Sequence, residues 1–395
     1  MKSKAARKLE RTIESLVCAI QPSQNLSAKP NQRESDGCQF MSIKSFVFSG
    51  NDREIGFQQG QSNREPIHKG IEEVFGTEQV LQSKPKLLPK SLFVMLAKRR
   101  ADKLLRKDLF SSYPKQGERI KGIAEGAEVD VSSLLFIQML ELVIGGCTSL
   151  GFLPKATSTN ETILAKNFDY ANFCEPYNFV CETQPSKGYK TLSCRFVPLS
   201  GALDAMNEHG LAMTYNLALS LDKPEINVPT SVILQEMLET CKNTREGANF
   251  LTNAKTGGHD GIITLADAAG KILVVELSRQ HMKVREPEGD IVINTNHYQT
   301  SEMKSIEKVP VYPSSPPRFE RAIELLTDKR NIDEKLIKTV LRDHGSENIP
   351  SSTTLCVHGD GYGTLRSMIM YPNRRLLKLL FGHPCENEYQ EIRFS

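Results

Sequence analysis

The chain has no long apolar run. Across 395 residues nothing approaches the roughly 18 consecutive apolar side chains of a membrane-spanning helix. Its start, Met1 to Ile20, carries basic residues but no apolar segment ending in a small-residue cleavage site, and Glu10 and Glu14 interrupt it. No secretory leader is expected. A large charge of one sign is missing too: a net charge of +3 gives no reason to expect a nucleic-acid partner. The nine cysteines are odd in number, irregularly spaced and without a Cys-x-x-Cys pair. Neither a disulfide framework nor a structural metal site is expected from them, and the expected compartment is the reducing cytoplasm. His-Glu-x-x-His, Gly-x-Ser-x-Gly and Gly-x-x-x-x-Gly-Lys are all absent, which argues against zinc peptidases, serine hydrolases with a nucleophile elbow and phosphate-loop enzymes. No metal and no organic cofactor is called for.

What is present is ordinary globular composition, 39% hydrophobic and 25% charged. Residues 1–40 read as a flexible N-terminal extension, with a polar stretch from Gln21 to Gly37. Residues 41–395 read as the folded part. Within it, residues 84–107 hold nine Lys or Arg against one Asp, with Leu92, Phe93, Met95, Leu96, Leu104 and Leu105 interleaved. Such a basic amphipathic helix suits peripheral contact with an anionic membrane, or attraction of an acidic substrate such as a CoA ester. The plainer reading is a solvated helix face whose apolar side lies on the core.

Ile43–Phe48 reads as a strand and Asn51–Gly60 as a turn entering a helix. Ile120–Ala127 and Val131–Leu142 follow as helices, the latter stopped by Gly145-Gly146. After Cys147 the pattern changes to short β-like runs at 162–166, 178–183, 190–196, 211–215, 261–266, 272–277 and 291–294. Helical patterns at 231–241 and 318–326 interrupt them. This mixture predicts an α+β fold.

Four elements could carry chemistry. Cys147 directly follows two glycines, where the backbone is least restricted. In a strained Gly-Cys peptide the thiol can attack the preceding carbonyl and free a new N-terminus. The α-amine so released has a pKa of about 7.7 to 8 and can serve as the base for its own thiol. Lys166-Asn167-Phe168-Asp169 ends a strand-like run and could bring a carboxylate beside Cys147. Asn296, in Asn294-Thr295-Asn296-His297-Tyr298, offers an amide suited to an oxyanion hole. His297 is read as structural or as a support behind the reacting groups, because the scheme needs no histidine. Arg318, in Ser315-Pro-Pro-Arg318-Phe319, stands at a helix start and could pair with a carboxylate. Taken singly, each has a plainer reading: a packed cysteine, a strand-end turn, a surface arginine.

Taken together, Gly146-Cys147-Thr148-Ser149, Asn167-Phe168-Asp169-Tyr170 and Thr295-Asn296-His297-Tyr298 resemble the peptidase C45 family, which includes the acyl-coenzyme A:6-aminopenicillanic-acid acyltransferase. Gly56 through Gly60, Gly122 through Ala127, Ser367-Met-Ile-Met and Gly382-His-Pro-Cys385 agree with it, so the resemblance spans about residues 45–390. It implies a four-layer αββα N-terminal-nucleophile hydrolase sandwich. It implies cleavage between Gly146 and Cys147 into a pro/α segment (41–146, behind the extension) and a catalytic β segment (147–395) that stay together as a heterodimer. By motif position Cys147 is the nucleophile, Asp169 the carboxylate and Asn296 the oxyanion-hole amide. Arg318 resembles the arginine of the related choloylglycine hydrolases. Where the acyltransferase has a Cys-Arg pair near its C-terminus, this chain has Cys356-Val357.

The implied reaction is cleavage of a linear amide through a thioester acyl-enzyme, on a small-molecule amide or acyl thioester. Two alternatives stand beside it: acyl-CoA-dependent N-acyl transfer by the same nucleophile, and an uncleaved, non-catalytic binding protein.

Overall fold

Successive side chains of a strand point to opposite faces, and here both faces of most strands are buried. The computed structural model describes residues 43–77, 84–85, 87–139, 145–222, 228–254, 260–308 and 312–395. The expected extension, 1–40, lies outside them. One sheet has eight strands, in the order β1 (Ser45–Gly50), β4 (Asn178–Pro185), β5 (Thr191–Phe196), β6 (Asp204–Asn207), β7 (Ala212–Leu217), β8 (Gly261–Ala266), β9 (Ile272–Leu277) and β10 (Met282–Arg285). Only β1 and β4 run parallel. The other sheet has seven, in the order β11 (Ile291–Asn294), β2 (Gly146–Phe152), β3 (Ile163–Ala171), β13 (Tyr362–Tyr371), β14 (Leu376–Phe381) and β15 (Gln390–Arg393), with β12 (His358–Gly359) paired to β13.

The helices are α1 (Asp52–Ser62), α2 (Arg64–Gly76), α3 (Lys90–Ser112), α4 (Pro114–Ala127), α5 (Val131–Met139), α6 (Thr230–Thr240), α7 (Thr244–Asn253), α8 (Ser301–Lys304), α9 (Ser315–Leu326) and α10 (Glu334–Leu341). Three apolar cores separate four layers. Val180, Leu192, Ile262 and Val274 of the first sheet meet Leu164, Val292, Met368 and Met370 of the second, which places the sheets face to face. Their neighbours Phe179, Cys181, Ile263 and Val275 point the other way, into a core with Leu105 of α3, Ile120 of α4 and Val232 and Leu238 of α6. On the far side, Leu150, Phe152 and Ile369 pack on Ala322 and Leu326 of α9 and Ile337 and Val340 of α10. The order is helices, sheet, sheet, helices: an αββα sandwich of the α+β class.

The basic stretch forms α3. Phe93, Ala97, Ala101, Leu105 and Leu109 recur every fourth residue and are buried in the first core. Burying a Leu or Phe is worth about 1.5–3 kcal/mol, so this seam faces the protein, as the plainer reading has it. Helix α1 is capped by Asn51, whose side chain accepts from Glu54 N while Glu54 reaches back to Asn51 N. Helices α1 and α4 lie in backbone contact. A Cβ on Gly56, Gly60, Gly122 or Gly126 would collide with a carbonyl oxygen of the opposite helix, which is why both carry glycines four apart.

Strands β8, β9 and β11 start and stop where the sequence pattern puts them. Strand β3 runs on to Ala171, because pairing with β2 and β13 continues through Asn167 and Asp169. No described helix is long and apolar enough to cross a membrane.

Candidate active site

Strand register assembles the site. Antiparallel pairing sets Gly146 opposite Asp169 and Cys147 opposite Phe168. On the other edge of β2, Asn294 pairs with Ser149, so the chain leaving β11 carries Asn296 back to Cys147. Helix α9 then starts at Ser315 and turns Arg318 inward. Cys147 is 3% exposed, and Asp169, Asn296 and Arg318 are at 0%, so all four predicted residues are buried.

Its hydrogen bonds converge on the main chain around Cys147. Cys147 N donates to Asn296 Oδ1 at 2.9 Å. Cys147 O accepts from Arg318 Nη1 at 2.7 Å and from Asn216 Nδ2 at 3.2 Å. Arg318 also donates to Thr148 Oγ1 (2.9 Å) and to Asn296 Oδ1 (2.8 Å). The Asn296 amide thus turns its oxygen to Cys147 and its nitrogen to Leu217 O, 2.8 Å away; in the intact chain its N–H₂ does not point at the thiol.

Asp169 lies 3.9 Å from Arg318 Nη1. Its Oδ1 accepts from Thr364 Oγ1 at 2.7 Å, while Oδ2 is buried without a hydrogen-bond partner. That oxygen faces Gly146: a Cβ built on Gly146 would lie 3.2 Å from it, 3.4 Å from Arg318 Nη2, and in collision with the Tyr362 hydroxyl. Only glycine fits there. Burial pushes the Asp169 carboxyl up, against the pull of Arg318 and the Thr364 hydroxyl. Burial likewise pushes the Cys147 thiol up to about 11, with Lys166 opposing it, because a charged thiolate loses its hydration.

No histidine hydrogen-bonds Cys147 among the described residues. His297 Nδ1 bonds Ser315 Oγ at 2.8 Å, and that hydroxyl accepts from Asn296 N at 2.7 Å. His297 therefore supports Asn296 from behind, as a structural residue would. Burial, then the positive charges of Lys304 and Arg318, pull its pKa down.

Several residues here were missed in the sequence. Asn216 comes from β7 of the other sheet and bears no local signal. Tyr362 lies inside Gly359-Asp-Gly-Tyr-Gly363, a glycine-rich tight loop that forms the β12–β13 turn. Lys166 points between the sheets, where its ammonium donates to Asp204 Oδ1 at 2.6 Å. Val357, where the acyltransferase pattern has arginine, donates only its N–H, to Thr364 Oγ1 at 2.9 Å.

No curated protein matches the chain in sequence. Among solved structures it is similar to a conjugated bile acid hydrolase mutant from Clostridium perfringens: 15% identity, TM-score 0.40, covering 62% of this chain and 97% of that one. It is similar to an N-acylethanolamine-hydrolyzing acid amidase ortholog from Caenorhabditis elegans: 16% identity, TM-score 0.42, covering 57% and 93%. The penicillin V acylase from Agrobacterium tumefaciens gives 14% identity, TM-score 0.40 and coverage of 60% and 83%. The family model for acyl-coenzyme A:6-aminopenicillanic acid acyl-transferase matches residues 156–386, more than half of the chain. The chain belongs to that family, the peptidase C45 type of amidohydrolase and acyltransferase.

Proposed function

We propose that the protein is a self-processing hydrolase of linear amides whose nucleophile is Cys147. One observation carries this reading: a thiol pushed up to about 11 has no histidine bonded to it among the described residues, yet its main chain is gripped by Asn296 and Arg318. At neutral pH such a thiol attacks a separate substrate slowly unless a base stands beside it, although its own place next to the Gly146 carbonyl favours attack there. Cleavage at Gly146-Cys147 creates that base.

In self-cleavage the Cys147 sulfur bonds to the Gly146 carbonyl carbon. The C–N bond then breaks, and the thiol proton ends on the departing Cys147 nitrogen. Water hydrolyses the thioester, leaving a carboxylate on Gly146 and a free thiol and α-amine on Cys147. Arg318 and Tyr362, both close to Gly146, are the donors available to the developing oxyanion. Asn296 Oδ1 and Asp169 Oδ2 then hold the new amine. In turnover that amine takes the thiol proton, and sulfur attacks the substrate carbonyl. The ammonium protonates the leaving amine, and water releases the acyl group. The fragments stay together because β1, before the cut, pairs along its length with β4, after it. The seven cysteines among the described residues are all free, which fits the cytoplasm.

The family match favours a second reading, in which an amine instead of water takes the acyl group from Cys147. Product analysis with and without an amine acceptor separates the two. Intact mass of the purified chain tests the first step. Two fragments dividing between Gly146 and Cys147, absent in Cys147→Ala, are expected; an enduring full-length species overturns self-processing.

A further inference from the structure

Beyond Thr364, away from Cys147, four side chains suited to metals converge. One ligand atom each from His344, Cys356, His358 and Cys385 lies within 4.8 Å of all the others. The sulfurs of Cys356 and Cys385 are 3.6 Å apart, and each lies 3.3 Å from His358 Nε2. We propose that these four residues bind one zinc-class divalent ion in a structural site, an assignment independent of the amide chemistry at Cys147.

The geometry suits zinc. Bond lengths of about 2.3 Å to sulfur and 2.0–2.1 Å to nitrogen, set tetrahedrally, give ligand–ligand edges of about 3.3–3.8 Å. The three measured edges fall within that span or at its limit. Two thiols and two imidazoles form a donor set that zinc favours. Four protein donors leave no open coordination position, so the role is structural. His344 Nε2 is buried without a hydrogen-bond partner, an arrangement that costs free energy unless something satisfies it. Cys385 is exposed, which provides the entry path.

The ligands come from three turns that are pinned to one another without any ion. Cys356 N donates to Asp343 O at 3.1 Å. Arg342 donates to Pro384 O at 2.7 Å and Asn387 O at 3.1 Å. Arg321 holds Asp343 through both carboxylate oxygens, at 3.0 and 2.8 Å. Gly382, at φ +84°, makes the turn that returns Cys385 to the cluster. The His383 ring stacks on that of His358, centroids 3.8 Å apart. Such preorganisation lowers the cost of assembling a site. The cysteine count and spacing gave no hint of it, because the four ligands follow no zinc-finger spacing and come from three separate segments. Binding displaces the two thiol protons and ties down the segment ending at Val357, whose N–H holds Thr364 against Asp169.

The test uses the full chain and zinc or cobalt alone. Metal analysis of the protein purified without chelator should find about one zinc per chain, as a four-ligand site takes a single ion. Cobalt exchange should give intense visible bands of a tetrahedral centre and near-ultraviolet thiolate-to-cobalt charge transfer. Cys356→Ser and Cys385→Ser should lose charge-transfer intensity and zinc, while Cys174→Ser keeps both. Cys147→Ala should also keep both, so the result stands apart from self-processing. A soluble wild-type chain that neither carries zinc nor gives the cobalt spectrum overturns the proposal. So does a Cys356–Cys385-linked peptide in a digest of freshly purified, unreduced protein.

Discussion

Two buried ion clusters lie on opposite faces of β3, and they differ in how completely they are satisfied. On the face between the sheets, Lys166 and Arg366 share Asp204, at 2.6 and 3.0 Å, and Lys166 also reaches Tyr215 O. Arg366 adds Asn178 Oδ1 at 3.0 Å and lies over the Phe168 ring at 3.9 Å. Among the described residues of this cluster, Arg366 Nε alone lacks a hydrogen-bond partner. On the face toward α9, Asp169 meets Arg318 at 3.9 Å, and both Asp169 Oδ2 and Arg318 Nε lack hydrogen-bond partners. A satisfied cluster holds a fold in register. Buried polar atoms left unspent are costly, and here one of them faces Gly146, beside Cys147.

Three substitutions probe this difference, from the largest expected effect to the smallest. Asp204→Ala strands two cations between the sheets, and a guanidinium cannot shed its proton. It should cost about 3–5 kcal/mol of stability, the usual penalty for breaking a buried pair, read from the midpoint of denaturant unfolding. Arg318→Met should be milder for stability, because Asp169, already pushed up by burial, can take a proton once the guanidinium is gone. Its effect should fall on self-cleavage, slowed by about 10² to 10³ as for loss of an oxyanion donor, timed by gel or mass spectrometry. Equal stability losses for the two variants would erase the distinction between the clusters.

Thr364→Val removes a bond that favours the charged form of Asp169. The carboxyl pKa, already raised, should rise further, so the acid limb of the cleavage-rate profile should move to higher pH. The rate at the plateau should change less than in Arg318→Met. An unshifted acid limb would mean that Asp169 does not titrate in the step.

Much of the scaffold was legible along the chain. β8, β9 and β11 are short apolar runs between turn residues, and the Asn51 cap marks the start of α1 through its own neighbours. β13 was harder to see: both its faces are buried, one by Met368 and Met370 and the other by Ile369 and Tyr371, so no alternation survives. Cys147, Asp169, Asn296 and Arg318 stood out because each sits in a motif. Lys166 stood in one too, but nothing local says that a lysine will be buried against Asp204, 38 positions away.

Composition and local pattern settle what neighbours in sequence can settle: strand or helix, cap or turn, and a cysteine that follows two glycines. Convergence is a different matter. Asn296 is 149 positions from Cys147 and Arg318 is 171, and the His344–Cys385 cluster draws on three separate turns. Strand register and the packing of α9 on the second sheet decide those meetings. They depend on side chains far apart in the chain sharing one buried space, so no stretch of sequence alone records them.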